Sequence, residues 1–203
     1  MLDFSEPFLA KGEKLVCFGD SLTAQDCSYV NTLKAALPDN EIINAGRGGD
    51  KTTWALTRLE EAVLSHNPDA VLIFLGANDA AVGRGIWADE PTVTAEAYRC
   101  NLVWICHLCR LRGVKKFSIA TAFGFEGPSY IAHGRILDPY YLVAREAADE
   151  VGARLVPLDV LFEKMRAGTP LGELLVTRDG THPLPETQEA IANAMLDAWS
   201  MKK

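Results

Sequence analysis

Two short stretches near opposite ends of the chain carry residue types that could cooperate. Phe18-Gly19-Asp20-Ser21-Leu22-Thr23 puts a serine at the end of an apolar run, and Asp179-Gly180-Thr181-His182-Pro183 puts an aspartate and a histidine three residues apart. A serine hydroxyl is a poor nucleophile until a base takes its proton, and the base works best when a carboxylate fixes its tautomer. If the fold brings the two ends together, Ser21 is the candidate nucleophile, His182 the base and Asp179 its orienter. Taken singly, each stretch has a plainer reading: Gly-Asp-Ser is a common turn, and Asp-Gly-Thr-His-Pro suits a turn before a helix.

Positioning those residues requires a scaffold. Leu15–Phe18, Ile42-Ile43, Val71–Leu75, Phe117–Ala120 and Leu155–Leu158 are short continuous apolar runs, the pattern of strands covered on both faces in a parallel sheet. Helical patterns lie between them, at roughly Tyr29–Leu37, Thr53–Leu64, Ala95–Leu111, Pro139–Glu150 and Glu186–Trp199. Asp138-Pro139 reads as an N-cap followed by a first-turn proline, and Gly113 as a helix stop. Trp54, Trp104 and Trp199 fall on helices as packing residues. Five strand–helix alternations predict a flavodoxin-like, three-layer α/β/α sandwich with a central parallel sheet. No linker, repeat or low-complexity stretch divides residues 1–203, so a single domain is expected. In such sheets ligands gather at the carboxyl ends of the strands. Polar residues cluster there: Gly19-Asp20-Ser21, then Asn44 to Asp50, then Gly76-Ala77-Asn78-Asp79.

Composition narrows the function classes. The 203 residues carry a formal net charge of −7, which disfavours a surface that tracks nucleic-acid phosphates or anionic lipid. No run approaches the roughly 20 apolar residues of a membrane span. Met1 to Lys14 lacks the layout of a signal peptide, so a cytoplasmic protein is expected. The five cysteines are odd in number, which argues against a disulfide framework. Cys106-His107-Leu108-Cys109 has C-x-x-C spacing but lies mid-helix with no second pair, so small, buried or half-buried thiols are the expectation. His66, His107 and His133 have no ligand partner at useful spacing, and no metal site is expected. Gly46-Arg47-Gly48-Gly49-Asp50-Lys51-Thr52 fits neither phosphate-loop fingerprint. Thr23 stands where the second glycine of a G-x-S-x-G elbow would be.

Four blocks in order carry a family resemblance: Gly19-Asp20-Ser21-Leu22, Asn44-x-Gly46, Gly76-Ala77-Asn78-Asp79 and Asp179-Gly180-Thr181-His182. Together they resemble the SGNH hydrolase superfamily, the GDSL-type esterases and lipases, over almost the whole chain. The resemblance implies hydrolysis of a small-molecule carboxylic ester through an acyl-enzyme on Ser21, with no cofactor. It also implies an oxyanion hole from the Ser21 N–H, the Gly46 N–H and the Asn78 side-chain amide. Asp20, Asn44 and Asp79 are expected to hold the loops by hydrogen bonds. The same blocks suit short-chain (acetyl) esters, including acetylated sugars. Alternatives are a lysophospholipase- or thioesterase-type acylhydrolase and a non-catalytic binding module on the same fold.

Two long connections leave the sheet at its carboxyl edge. Ala80–Val93 carries Trp87, and Ala122–Asp138 carries Phe123, Phe125 and Tyr130. Long segments beside a site are often functional, so these aromatic residues are expected to line the substrate pocket. Arg47 is expected either to meet a substrate anion or to remain a solvated loop arginine.

Overall fold

A computed structural model describes residues 6–81 and 89–201. Five parallel strands form its sheet in the order β2-β1-β3-β4-β5: β1 Lys14–Gly19, β2 Glu41–Gly46, β3 Ala70–Phe74, β4 Lys116–Ala120 and β5 Arg154–Val156. The register sets Gly19 level with Gly46 on one side and with Phe74 on the other. The three chain exits that follow these strands therefore leave the sheet side by side.

Strand side chains alternate between the two faces, and the core divides accordingly. Val16, Phe18, Val71, Ile73 and Ile119 face one layer of helices, while Leu15, Cys17, Leu72, Phe74 and Ala120 face the other. The first layer is dominated by the helices Ala95–Leu111 and Asp138–Val151, the second by Tyr29–Ala36 and Pro185–Ala198. In Ala95–Leu111 the buried residues Tyr98, Leu102, Ile105, Cys106 and Cys109 recur at helical spacing, and the Thr94 hydroxyl caps the start by accepting from the Ala97 N–H. This is the α/β/α sandwich expected from the alternation of apolar runs. No described helix is long and apolar enough to cross a membrane.

In chain order the helices are α1 Ser21–Ala24, α2 Tyr29–Ala36, α3 Thr52–Thr57, α4 Leu59–Ala62, α5 Ala77–Ala80, α6 Ala95–Leu111, α7 Gly127–His133, α8 Asp138–Val151, α9 Leu158–Arg166 and α10 Pro185–Ala198. Several expectations need correction. The helix expected over Thr53–Leu64 breaks into α3, α4 and a 3-10 turn at Leu64–His66. Arg58 stands at the first break with φ −111°, its guanidinium turned inward to Asp50 and to the carbonyls of Gly19 and Ala45. The last strand ends at Val156, and Leu158 instead opens α9, where it and Phe162 bury one helical turn apart. The connection expected to be irregular after β4 contains α7, with Pro128 in its first turn. Asp138 lies inside the first turn of α8 rather than capping it, and pairs with Arg135 at 2.8 Å.

Cys17, Cys106 and Cys109 are buried, and burial pushes each thiol up to about 12, so these sulfurs stay protonated; Cys27 and Cys100 are exposed. Trp199 is buried, with its indole N–H donating to the Ser118 hydroxyl, whereas Trp104 is 58% exposed and packs little.

Candidate active site

The two ends of the chain do meet. Ser21 opens α1 directly after β1, in a turn held by Asp20: the Asp20 carboxylate accepts the Leu22 N–H at 2.9 Å, and its carbonyl accepts the N–H groups of Thr23 and Ala24. From the other end, Gln188 on α10 donates to the Leu22 carbonyl and accepts the Tyr29 N–H, both at 3.0 Å. That lock fastens the C-terminal helix to the serine-bearing turn.

Between these anchors, Ser21 Oγ lies 2.9 Å from His182 Nε2, and His182 Nδ1 lies 2.7 Å from Asp179 Oδ2. The other carboxylate oxygen of Asp179 accepts the Thr181 and His182 N–H groups at 3.0 and 2.8 Å. One short turn thus fixes both side chains. Gly180 enables it with φ 98°, and the turn is closed by the antiparallel Thr177–Pro183 bridge. Partial burial on its own would raise the Asp179 carboxyl. The hydrogen bonds from the His182 N–H, the His182 ring and the Thr181 N–H outweigh it and hold the group below its usual range. Asp179 is therefore a carboxylate, and it assigns the ring hydrogen to Nδ1, leaving the Nε2 lone pair facing the serine.

Asn78 lies on α5, which follows β3 through Gly76 at φ 129°. Its side-chain nitrogen donates to the Asp50 carbonyl at 3.0 Å and, at a long 3.3 Å, to Asp20 Oδ2. It thus sits where the exits of β1, β2 and β3 converge. Asp79 accepts the Thr52 N–H at 3.1 Å together with the Thr52 hydroxyl, which ties α5 to α3. Asn44 donates to the Thr23 carbonyl at 2.7 Å. Asp20, Asn44 and Asp79 are all engaged in holding loops together.

Gly46, the other expected oxyanion donor, ends β2. Its N–H is taken by the Asn44 side-chain oxygen at 2.9 Å. The need for glycine there is steric, because a Cβ would overlap the backbone nitrogen of Ala24 in α1. A close approach to Ser21 comes two residues later: a Cβ on Gly48 would stand 4.0 Å from Ser21 Cβ, and the buried Gly49 has φ 81°. The paired glycines Gly48-Gly49 were the available sequence signal for this.

The aromatic pocket also needs correction. Phe123 is buried in the core, edge-on to Phe162 with ring centroids 5.1 Å apart, and Phe125 is buried against His133. Phe125 and the half-buried Tyr130 border a cleft of only about 20 Å³ that Ser21, Asn78, Asp179 and His182 do not reach. Trp87 lies outside the described residues. Arg47 meets neither solvent alone nor a free anion: its Nε pairs with the buried Asp50 at 2.6 Å, and Arg58 pairs with the same carboxylate at 2.5 Å. Nothing in the local sequence marked Asp50 and Arg58 as partners. Among the described residues no group of three or more His, Cys, Asp or Glu is arranged to hold a metal ion.

A parallel α/β/α sheet with a serine–histidine–aspartate relay at its carboxyl edge defines a hydrolase of the SGNH type. Residues 17–190 match the GDSL-like Lipase/Acylhydrolase family, and the chain belongs to that family of ester hydrolases. It is 30% identical over 195 residues to an arylesterase of Vibrio mimicus, covering 89% of this chain and 84% of that protein. It is 25% identical over 217 residues to an acetylxylan esterase of Geobacillus stearothermophilus, covering 93% and 94%. A lipoprotein of Bacillus subtilis, YqeF, matches at 35% identity over 114 residues, 51% of this chain and 46% of that one, so the chain spans about half of that relative's length. The crystal structure of LAE5, an alpha/beta hydrolase enzyme from the metagenome of Lake Arreo in Spain, superposes with a TM-score of 0.82 at 25% identity, covering 97% of this chain and 99% of that one.

Proposed function

We propose that the protein cleaves small carboxylic esters, with short acyl groups such as acetyl as the preferred class, through a covalent acyl-enzyme on Ser21. The observation that carries this reading is the unbroken relay from Ser21 Oγ to His182 Nε2 at 2.9 Å and from His182 Nδ1 to Asp179 at 2.7 Å. Ser21 Oγ attacks the ester carbonyl while His182 Nε2 takes its proton, and Asp179 steadies the imidazolium that forms. The tetrahedral oxygen turns to the Ser21 N–H, the Gly46 N–H and the Asn78 amide. The Asn78 hydrogen now shared with Asp20 at 3.3 Å is the one it would draw away. The strip Gly48-Gly49 borders the same space. Collapse of the intermediate expels the alcohol, which takes the proton back from His182. A water then attacks the acyl-enzyme with His182 as base, releasing the acid and restoring Ser21.

The acyl preference rests on one relative's named activity, on acetylated xylan. Hydrolysis of p-nitrophenyl esters from acetyl to dodecanoyl, by the wild type and by Ser21→Ala, tests the reading. We expect turnover that declines as the acyl chain lengthens and vanishes in the variant. A profile peaking on long chains would move the substrate class toward lysophospholipids or thioesters. Turnover that survives in Ser21→Ala would overturn the acyl-enzyme.

A further inference from the structure

The best-connected carboxylate near the site belongs to none of the residues discussed so far. Glu126 lies just before α7, fully buried. One of its oxygens accepts the N–H groups of Leu175, Val176 and Thr177 at 3.0, 2.9 and 2.6 Å, and the Thr177 hydroxyl at 2.6 Å. Its other oxygen pairs with Arg166, which is also buried and closes α9 with its guanidinium on the carbonyls of Thr169 and Pro170. An acceptor-only group is what such an environment requires, since every neighbour donates.

These donors belong to the strip that runs into the Asp179–His182 turn, and the contact continues along it. The Glu126 N–H donates to the Gly180 carbonyl at 3.0 Å, the Thr177 hydroxyl accepts the Gly180 N–H at 2.9 Å, and the Ser129 and Thr181 hydroxyls meet at 2.8 Å. A Cβ on Gly180 would overlap the Glu126 carbonyl oxygen. The turn bearing the base is thus seated on Glu126 from its approach to its centre, although Glu126 is hydrogen-bonded to neither His182 nor Asp179.

We propose that Glu126, paired with Arg166, is a positioning residue for acyl transfer: it sets where the Asp179–His182 turn stands relative to Ser21. The inference rests on the acyl-enzyme reading above, in which small displacements of the base cost rate. Glu126→Gln keeps the shape but presents an amide to a guanidinium that needs a carboxylate, so the strip loses its seat. Thr177→Val removes both links of that hydroxyl, to Glu126 and from the Gly180 N–H, while leaving the ion pair intact, and serves if Glu126→Gln does not fold. Val151→Ala, a core truncation at the opposite end of the sheet, supplies a control for general loss of stability.

Two readouts decide the matter. On p-nitrophenyl acetate, kcat should fall about 10- to 100-fold in Glu126→Gln, in line with the cost of about 1 Å of misplacement, and several-fold in Thr177→Val, with KM little changed. Val151→Ala should lose thermal stability and keep kcat. In substrate-free protein, the downfield proton resonance of the His182 Nδ1–H bonded to Asp179 should broaden or shift in Glu126→Gln and Thr177→Val and persist in Val151→Ala. Wild-type kcat and an unchanged resonance in both strip variants would overturn the proposal, and so would losses no larger than those in Val151→Ala. Because the resonance is read without substrate, it judges the seat even if ester turnover fails and the acyl-enzyme reading falls with it.

Discussion

The imidazole of His182 lies between two oxygens on which the proposed acyl-enzyme route makes opposite demands: Ser21 must lose a proton to it, and Asp179 must never take one from it. With two backbone N–H groups and the ring all donating to Asp179, the carboxylate is held below its usual range and cannot compete for the proton. Asp179→Asn keeps the turn's size but replaces an acceptor with a group that can hold the wrong tautomer. The expected outcome is a fall in kcat of about 10⁴-fold with a modest change in KM, checked by steady-state kinetics on p-nitrophenyl acetate. The proposed route makes a separate demand of Asn78, whose amide would serve charge that develops only after attack. Asn78→Ala should lower kcat by about 100- to 1,000-fold. An Asn78→Ala enzyme within threefold of wild type would remove that amide from the oxyanion site. Asp179 was a candidate from its residue type and its spacing to His182, whereas Asn78 was singled out only by the family resemblance. The distant contacts that hold the surrounding loops were not legible in local sequence. Glu126 receives its donors from 49 to 51 positions away, and Arg58 reaches Gly19 across 39, so no short-range pattern announces them.

At the scale of elements, the sheet was readable because continuous apolar runs suit strands covered on both faces, and the long helices were readable from their buried stripes. What escaped were the short helices. α7 has seven residues and buries only Gly127, and α3 and α4 part at Arg58, whose inward ion pair overrides an otherwise unbroken helical pattern. The aromatic residues after β4 were misread for a related reason: a long connection suggested open surface, yet Phe123 and Phe125 turn into the core. Gly46 shows an element placing a residue type. β2 and α1 approach so closely there that a methyl group would meet the Ala24 backbone nitrogen. Gly46→Ala must push α1, and with it Ser21, away from His182. We expect a loss of about 1–3 kcal/mol by chemical denaturation, accompanied by a fall in kcat. Gly172→Ala, where an added Cβ meets nothing within 4 Å, should stay within about 0.5 kcal/mol of wild type. A Gly46→Ala protein with full activity would show that the serine's seat does not depend on that contact.

On the scale of the whole molecule, the carboxyl ends of the strands gather three buried aspartates, Asp20, Asp50 and Asp79. Arg47 and Arg58 neutralise Asp50. For the other two burial prevails. It lifts the Asp20 carboxyl from the ordinary 3.8 to about 7, helped by the charges of Asp79 and Asp50 and opposed by the Leu22 N–H. It lifts Asp79 to about 6 against the hydrogen bonds from Thr52. A carboxyl raised in this way holds its proton in the folded chain after the unfolded chain has lost it. Its contribution to stability is therefore fully present below about 3.8 and is lost as the pH climbs through about 7. Asp179 runs the other way: its contribution is present above the ordinary carboxyl range and is lost as the pH falls through its depressed folded value. The two effects occupy different windows. Asp20→Asn removes only the first, so its unfolding free energy relative to wild type should rise between pH 4 and 7 and level off above, with a slope of up to about 1.4 kcal/mol per pH unit where the group titrates. Urea unfolding of the two proteins at half-unit steps of pH measures that difference directly, and contributions from titrating groups that do not interact with Asp20 cancel to first order. Parallel stability curves from pH 4 to 8 would mean that Asp20 is already ionised when folded. A difference that rises to about pH 7 and then levels off would show that folded Asp20 holds its proton at mildly acid pH, where a neutral carboxyl is a weaker acceptor for the Asn78 amide than a carboxylate.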